Sequence, residues 1–239
     1  MMKFLLLCAL IATGVFAQVK RPVDEAMTDA GPVRLTIVNH ASFVMELGGQ
    51  VIHVDPVGAA RYEGLPQADL ILITHTHPDH LDAAALAKLR KEGTVILGPE
   101  AAAKSVPGLI VLRNGESRQV GPTNIEAVPA YNLPKAGGGQ IFHPKGEGNG
   151  YVTTFAGRRC YIAGDTQAIP EMAALKNIEV AFLPMNQPFT MTPEEVAAAA
   201  RSFNPMVLYP YHSRGSDTAL LVKLLEGSGI QVRLRDWYY

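Results

Sequence analysis

Thr74-His-Thr-His-Pro-Asp-His-Leu-Asp82 follows directly on the apolar run Leu70-Ile-Leu-Ile73. That run is short, apolar and bounded by polar residues, so it reads as a buried strand. The next residues present three imidazoles and a carboxylate: His75, His77, Asp79 and His80. In an extended segment positions i and i+2 share a side, so His75 and His77 can grip one ion together. Pro78 breaks the extension, and the turn can send Asp79 and His80 to a neighbouring position. A polar turn with solvent-facing histidines is the competing reading. Three of only seven histidines fall here, at ligand spacing, which favours a metal site. Nitrogen and oxygen donors of this kind suit Zn2+, with Mn2+ or iron also accommodated.

His75-Thr-His77-Pro-Asp79-His80 resembles the H-x-H-x-D-H signature of the metallo-β-lactamase fold superfamily. The flanks are similar to its branch of stand-alone metal-dependent hydrolases, which includes ascorbate-phosphate lactonases and the phospholipase D acting on N-acyl phosphatidylethanolamines. The likeness takes in Asn39-His-Ala-Ser-Phe43, Val54-Asp-Pro56, Ala163-Gly-Asp-Thr166, Phe189-Thr-Met191 and Tyr209-Pro-Tyr-His212. It is specific for fold and metal and poorly specific for substrate.

The first residues bear on compartment. Lys3, the apolar stretch Phe4 to Ala12 and Val15-Phe-Ala17 read as a secretory signal peptide over residues 1–17, cleaved after Ala17. The stretch is too short for a stable transmembrane helix, which needs about 20 residues. The expectation is an exported protein, periplasmic or secreted, with residues 18–239 forming a single domain. Only Cys160 remains after cleavage, so no intrachain disulfide is possible, and its strand-like setting suits a buried apolar role. The formal charge of −1 gives no reason to expect nucleic acid or an anionic membrane as partner. A small-molecule or lipid-like substrate is expected instead.

Along the chain, residues 18–32 read as a loose leader. Arg34 to Glu46 and Gln50 to Val54 read as two strands joined at Leu47-Gly-Gly49. Asp82 can cap a helix from about Ala83 to Lys91, ended by Gly93. Strands follow at Thr94–Leu97, Leu109–Leu112 and within Gln119–Val128, with a short helix near Ala101–Lys104. Tyr151–Phe155 and Arg159–Ile162 read as a hairpin, and Ile178–Pro184 as a buried strand. Thr192-Pro-Glu-Glu195 is a capping box opening a helix through about Arg201. Met206–Tyr211 is a strand, Ala219–Leu225 a helix, and Ile230–Leu234 a closing strand. Trp237-Tyr-Tyr239 reads as a cover for the core edge. Strand meanders alternating with helices suggest an α/β fold: two mixed sheets face to face with helices outside, a four-layer αββα sandwich. Every candidate ligand follows a strand, which places the site along one edge.

The resemblance implies the remaining site residues. His212 is the expected last ligand, and Asp165, which could instead cap a turn, bridges two ions. His40 faces the site in the similar families, although a structural histidine fits its spacing equally well. Asp55 is expected to orient the His loop, with a strand-end turn role as the alternative. Ala130–Gly150 reads as a long irregular loop. Ala130-Tyr-Asn132 stands where much of the superfamily has its third zinc-binding histidine. One subgroup there pairs Tyr-Asn with a later His-Pro-Lys, which gives His143 that role; Tyr131, Asn132 or water are the alternatives. Lys145, Tyr131, Asn132 and His40 are placed near the substrate, Lys145 alternatively as a solvated loop residue.

His75, His77 and His143 would then hold one ion, and Asp79, His80 and His212 a second. Such a pair activates a shared hydroxide toward an ester, lactone or phosphodiester. Asp79, His80 and Asp165 are the expected catalytic groups, with Asp79 able to relay a proton. No G-x-S-x-G occurs to support a serine mechanism. An iron-dependent redox enzyme of the persulfide dioxygenase type and a non-catalytic metal-binding module are the alternatives on the same fold.

Overall fold

The computed structural model describes residues 21–28, 30–134 and 138–239. Residues 1–17, where a signal peptide is expected, lie outside them. Two seven-stranded sheets form, each ordered as in the sequence. The first holds β1 (Val23–Thr28), β2 (Gly31–Asn39), β3 (Ser42–Leu47), β4 (Gln50–Val54), β5 (Leu70–Leu72), β6 (Val95–Gly98) and β7 (Ile110–Val111). The second holds β8 (Ser117–Val120), β9 (Thr123–Ala130), β10 (Gly148–Phe155), β11 (Arg158–Ile162), β12 (Ile178–Pro184), β13 (Val207–Tyr211) and β14 (Gln231–Val232). In each sheet a meander of antiparallel strands passes into a parallel run: β1 to β4 then β4 to β7, and β8 to β11 then β11 to β14.

Three apolar interfaces give the layers. Between the sheets lie Phe43, Leu70, Leu72, Tyr151, Phe182, Tyr211 and Trp237, with Phe43 and Phe182 stacked at 4.3 Å. Helix α1 (Ala83–Leu89) covers the outer face of the first sheet through Leu86 and Leu89, over Ile71 and Ile73. Helices α2 (Pro193–Phe203) and α3 (Thr218–Leu224) cover the second through Val196, Ala200 and Leu221. The αββα order follows from strands buried on both faces, which a lone sheet could not support. No helix among the described residues is long and apolar enough to cross a membrane.

Local chemistry sets the helix starts. Asp82 accepts from Ala84 N–H at 2.8 Å, and the Thr192–Glu195 capping box closes in both directions. Three expectations need correction. The stretch 18–32 is not all leader, because Val23–Thr28 pairs along β2. Arg34–Glu46 is not one strand: the chain turns at His40, whose φ is 53°, and splits it into β2 and β3. Helix α1 stops at Leu89, before Gly93 is reached. The first two share a cause, since polar edge residues and a left-handed histidine carry no periodicity signal.

Candidate metal centre

Seven polar residues converge where the strands end. Asp55 follows β4, His75, His77, Asp79 and His80 follow β5, Asp165 follows β11, and His212 follows β13. The chain beyond β5 is fixed by a fully buried carboxylate. Asp55 Oδ1 accepts from Thr74 N–H at 2.7 Å, and Oδ2 accepts from the Thr74 hydroxyl at 2.6 Å and from His80 Nδ1–H at 2.8 Å. With its proton committed to Asp55, the Thr74 oxygen accepts from His75 Nδ1–H at 3.0 Å. Both imidazoles therefore turn Nε2 toward the cluster.

A third imidazole arrives on the loop between β9 and β10. Asn132 Oδ1 accepts from the backbone N–H of Phe142 and of His143, at 3.1 and 2.9 Å, and from His143 Nδ1–H at 3.1 Å. His143 Nε2 then points at Asp165 Oδ2, 3.3 Å away. Asp165 reaches the centre because Gly164 has a φ of +66° and no room for a Cβ, which would lie 2.8 Å from Asn149 O. Its Oδ2 lies 3.3 Å from His212 Nε2, and its Oδ1 lies 3.4 Å from His80 Nε2.

Three donor groups result: His75, His77 and His143; His75, His80 and Asp165; and His40, Asp79, His80 and His212. In each, ligand atoms lie within 4.8 Å of one another, a spacing that one ion can span. Five buried atoms of the cluster, His80 Nε2, His143 Nε2, Asp165 Oδ1 and both ring nitrogens of His212, have no hydrogen-bond partner. Orphaned buried donors are rare and costly, so the set fits divalent cations by its own chemistry. Burial and the His80 charge push His75 well below the usual imidazole range. Burial opposes the charging of His80, yet the Asp165 and Asp55 carboxylates overcome it and raise its pKa well above normal. Burial likewise works against ionised Asp165, and His212 and His80 hold it well below the carboxylate range. Partial burial works against ionised Asp79, whose side chain is half-exposed, yet the His212 and His40 rings, with Nε2 3.4 and 3.2 Å from its Oδ2, hold it low.

Backbone strain gathers here. Of the non-glycine residues with positive φ, His40, Asp55 and His212 all belong to this edge. An L-residue in that region costs about 1 kcal/mol or more, sustained by cross-links such as His212 N–H to His40 O at 3.1 Å.

The structure brings together all the sequence-predicted ligands and places His40 beside Asp79, 3.2 Å from its Oδ2. It does not bring Lys145 or the Tyr131 hydroxyl to the donors. Lys145 Nζ pairs with Glu171 at 2.8 Å and donates to the Tyr131 hydroxyl at 3.2 Å, while the Tyr131 ring packs under the second sheet. A salt bridge to Glu171, distant in sequence, outcompetes the expected role. Asn132 is a brace behind His143. Sequence reasoning missed Thr74, Glu171 and Tyr238. Tyr238 hydroxyl lies 2.9 Å from His40 Nδ1 and accepts Arg214 N–H at 2.8 Å. Its neighbour Trp237 covers the core as expected. Thr74 alone had a signal, its place at the strand end before the motif.

Comparison with known proteins agrees with this geometry. The family model described as the β-lactamase superfamily domain matches residues 34–212. The UPF0173 metal-dependent hydrolase of Thermococcus onnurineus is 33% identical over 202 residues, covering 75% of this chain and 84% of that one. A crystal structure from Parabacteroides distasonis, assigned to the metal-dependent hydrolases, is 42% identical with a TM-score of 0.86, covering 92% of this chain and 100% of that one. Igni18 from Ignicoccus hospitalis, at 24% identity and a TM-score of 0.72, covers 87% of this chain and 96% of that one, and shares the fold. The chain belongs to the β-lactamase superfamily domain family and is a metal-dependent hydrolase on the metallo-β-lactamase fold.

Proposed function

We propose that the chain is a binuclear hydrolase, with Zn2+ as the foremost candidate, acting on an ester, lactone or phosphodiester. The observation that carries this reading is the set of buried, mutually facing, unpartnered donors His80 Nε2, His143 Nε2, Asp165 Oδ1 and His212 Nε2. His75, His77 and His143 would hold one ion. Asp79, His80 and His212 would hold the other, with Asp165 reaching both sets. Bound there, divalent cations supply a water made nucleophilic at neutral pH and positive charge for the developing oxyanion. Asp55 and Asn132 keep the ring nitrogens aimed inward. Asp79 is the accessible carboxylate, and we assign it the relay of a proton to the departing oxygen, with His40 Nε2 behind it at 3.2 Å.

Export to the periplasm or beyond is part of the proposal, supported by residues 1–17. The near-neutral charge supports a small-molecule or lipid-like substrate over nucleic acid.

The test is metal analysis combined with hydrolysis of a lactone, ester and phosphodiester panel. Wild-type protein should carry two equivalents of metal. His77→Ala should lose metal and about a thousandfold in rate, several kcal/mol of transition-state stabilisation. Undiminished turnover by metal-free protein overturns the reading.

A further inference from the structure

The rim of the centre is aromatic where a cation was expected. Phe142, next to His143, lines the cleft with His75, His77 and Asp165. Phe189, on the loop after β12, lies against it with ring centroids 4.8 Å apart and planes at 68°, an edge-to-face pair. Phe189 is 40% exposed and Ile141 43% exposed. Among the described residues these two are the exposed large apolar side chains on the loops bearing Phe142 and Phe189; the others, such as Met27, Met206 and Val222, lie on other elements. Exposed apolar groups clustered beside a polar site mark a binding surface, whereas single ones do not.

The platform is also built. Asn132, itself buried, accepts from Phe142 N–H and His143 Nδ1–H and donates from Nδ2 to Phe189 O at 2.9 Å. One amide thus fixes the third imidazole and both aromatic residues in a single frame. The lysine of the same loop is turned away and neutralised by Glu171, so this side offers ring faces and edges to a ligand.

We infer that Phe142 and Phe189 form an apolar subsite, and that the substrate carries an aryl or alkyl group next to its scissile bond on the His143 side. This rests on the metal-hydrolase reading of the same site. The test uses zinc-loaded protein and titration calorimetry with two probes that share a metal-binding head, benzohydroxamate and acetohydroxamate. The phenyl probe should bind roughly tenfold more tightly than the methyl probe, the discrimination typical of apolar pockets. Phe189→Ala should bring that ratio close to one with zinc content unchanged, and Phe189→Leu should keep part of it. Equal affinities in wild type, or a ratio that Phe189→Ala leaves intact, overturns the subsite while the metal reading stands. Failure of the protein to take up zinc overturns both.

Discussion

Two of the loops that supply imidazoles, the one after β5 and the one before β10, are braced in different ways. The loop after β5 is held by an anion: Asp55 is fully buried and takes three hydrogen bonds, two from Thr74 and one from His80. The loop before β10 is held by a neutral amide, Asn132, which takes three bonds at its oxygen and gives one at its nitrogen. The carboxylate fixes geometry and also stabilises charge on His80, raising its pKa. An amide fixes geometry alone. The anion serves the fully enclosed His80, and the amide serves His143, which lines the cleft beside Phe142. His53, on β4 two residues before Asp55, shows a buried imidazole with neither brace. It is fully enclosed, gives Nε2–H to Pro66 O at 2.9 Å, and burial lowers its pKa to about 4.

The comparison breaks first at Asp55. Asp55→Ala strands Thr74 and His80 in the interior, so the metal-free protein should lose about 3–5 kcal/mol in chemical denaturation. Asp55→Asn, which keeps an acceptor, should lose less. A loss below 1 kcal/mol would show that the anion contributes little to the frame.

His53 sharpens it through pH. Its folded pKa, about 4, lies below the ordinary imidazole value of 6.5, so the unfolded chain takes up the proton first as pH falls. Its contribution is therefore complete above pH 6.5 and is lost progressively down to about pH 4, by about 3 kcal/mol. His53→Gln, which can keep a donor for Pro66 O, should flatten the denaturation profile of metal-free protein across that window. An unchanged profile would show that His53 is not held neutral by burial.

Asn132 tests the amide. Asn132→Ala frees the His143 ring and should weaken zinc binding about 10–100-fold in a competitive chelator titration, as loss of a ligand-orienting partner does. Asn132→Asp keeps the acceptor and should retain most of the affinity. Equal losses in both variants would mean that the acceptor oxygen contributes little and that the Nδ2–H bond to Phe189 O holds the loop.

Much of this was legible in one dimension. The apolar run at Leu70–Ile73 against the dense polar turn after it announces a buried strand delivering ligands, because burial and metal chemistry both act through residue type. The capping groups Asp82 and Thr192 act within a few residues, and their helix starts were readable for that reason. Strand β1 was not, because its polar residues gain order only by pairing with β2. His40 and Asp55 adopt positive φ against their intrinsic preference, held by contacts made far along the chain.

The amino-acid sequence by itself determined the layered α/β architecture and the donors of the His75–His80 turn, since these follow from local periodicity and spacing. Tertiary structure alone decided that Asp165 stands 3.3 Å from both His143 and His212, that Lys145 answers to Glu171, and that Tyr238 reaches His40. Such pairings join residues remote in sequence. They are selected by competition for partners in a crowded, water-poor interior, where an unpaired polar atom is too costly to leave.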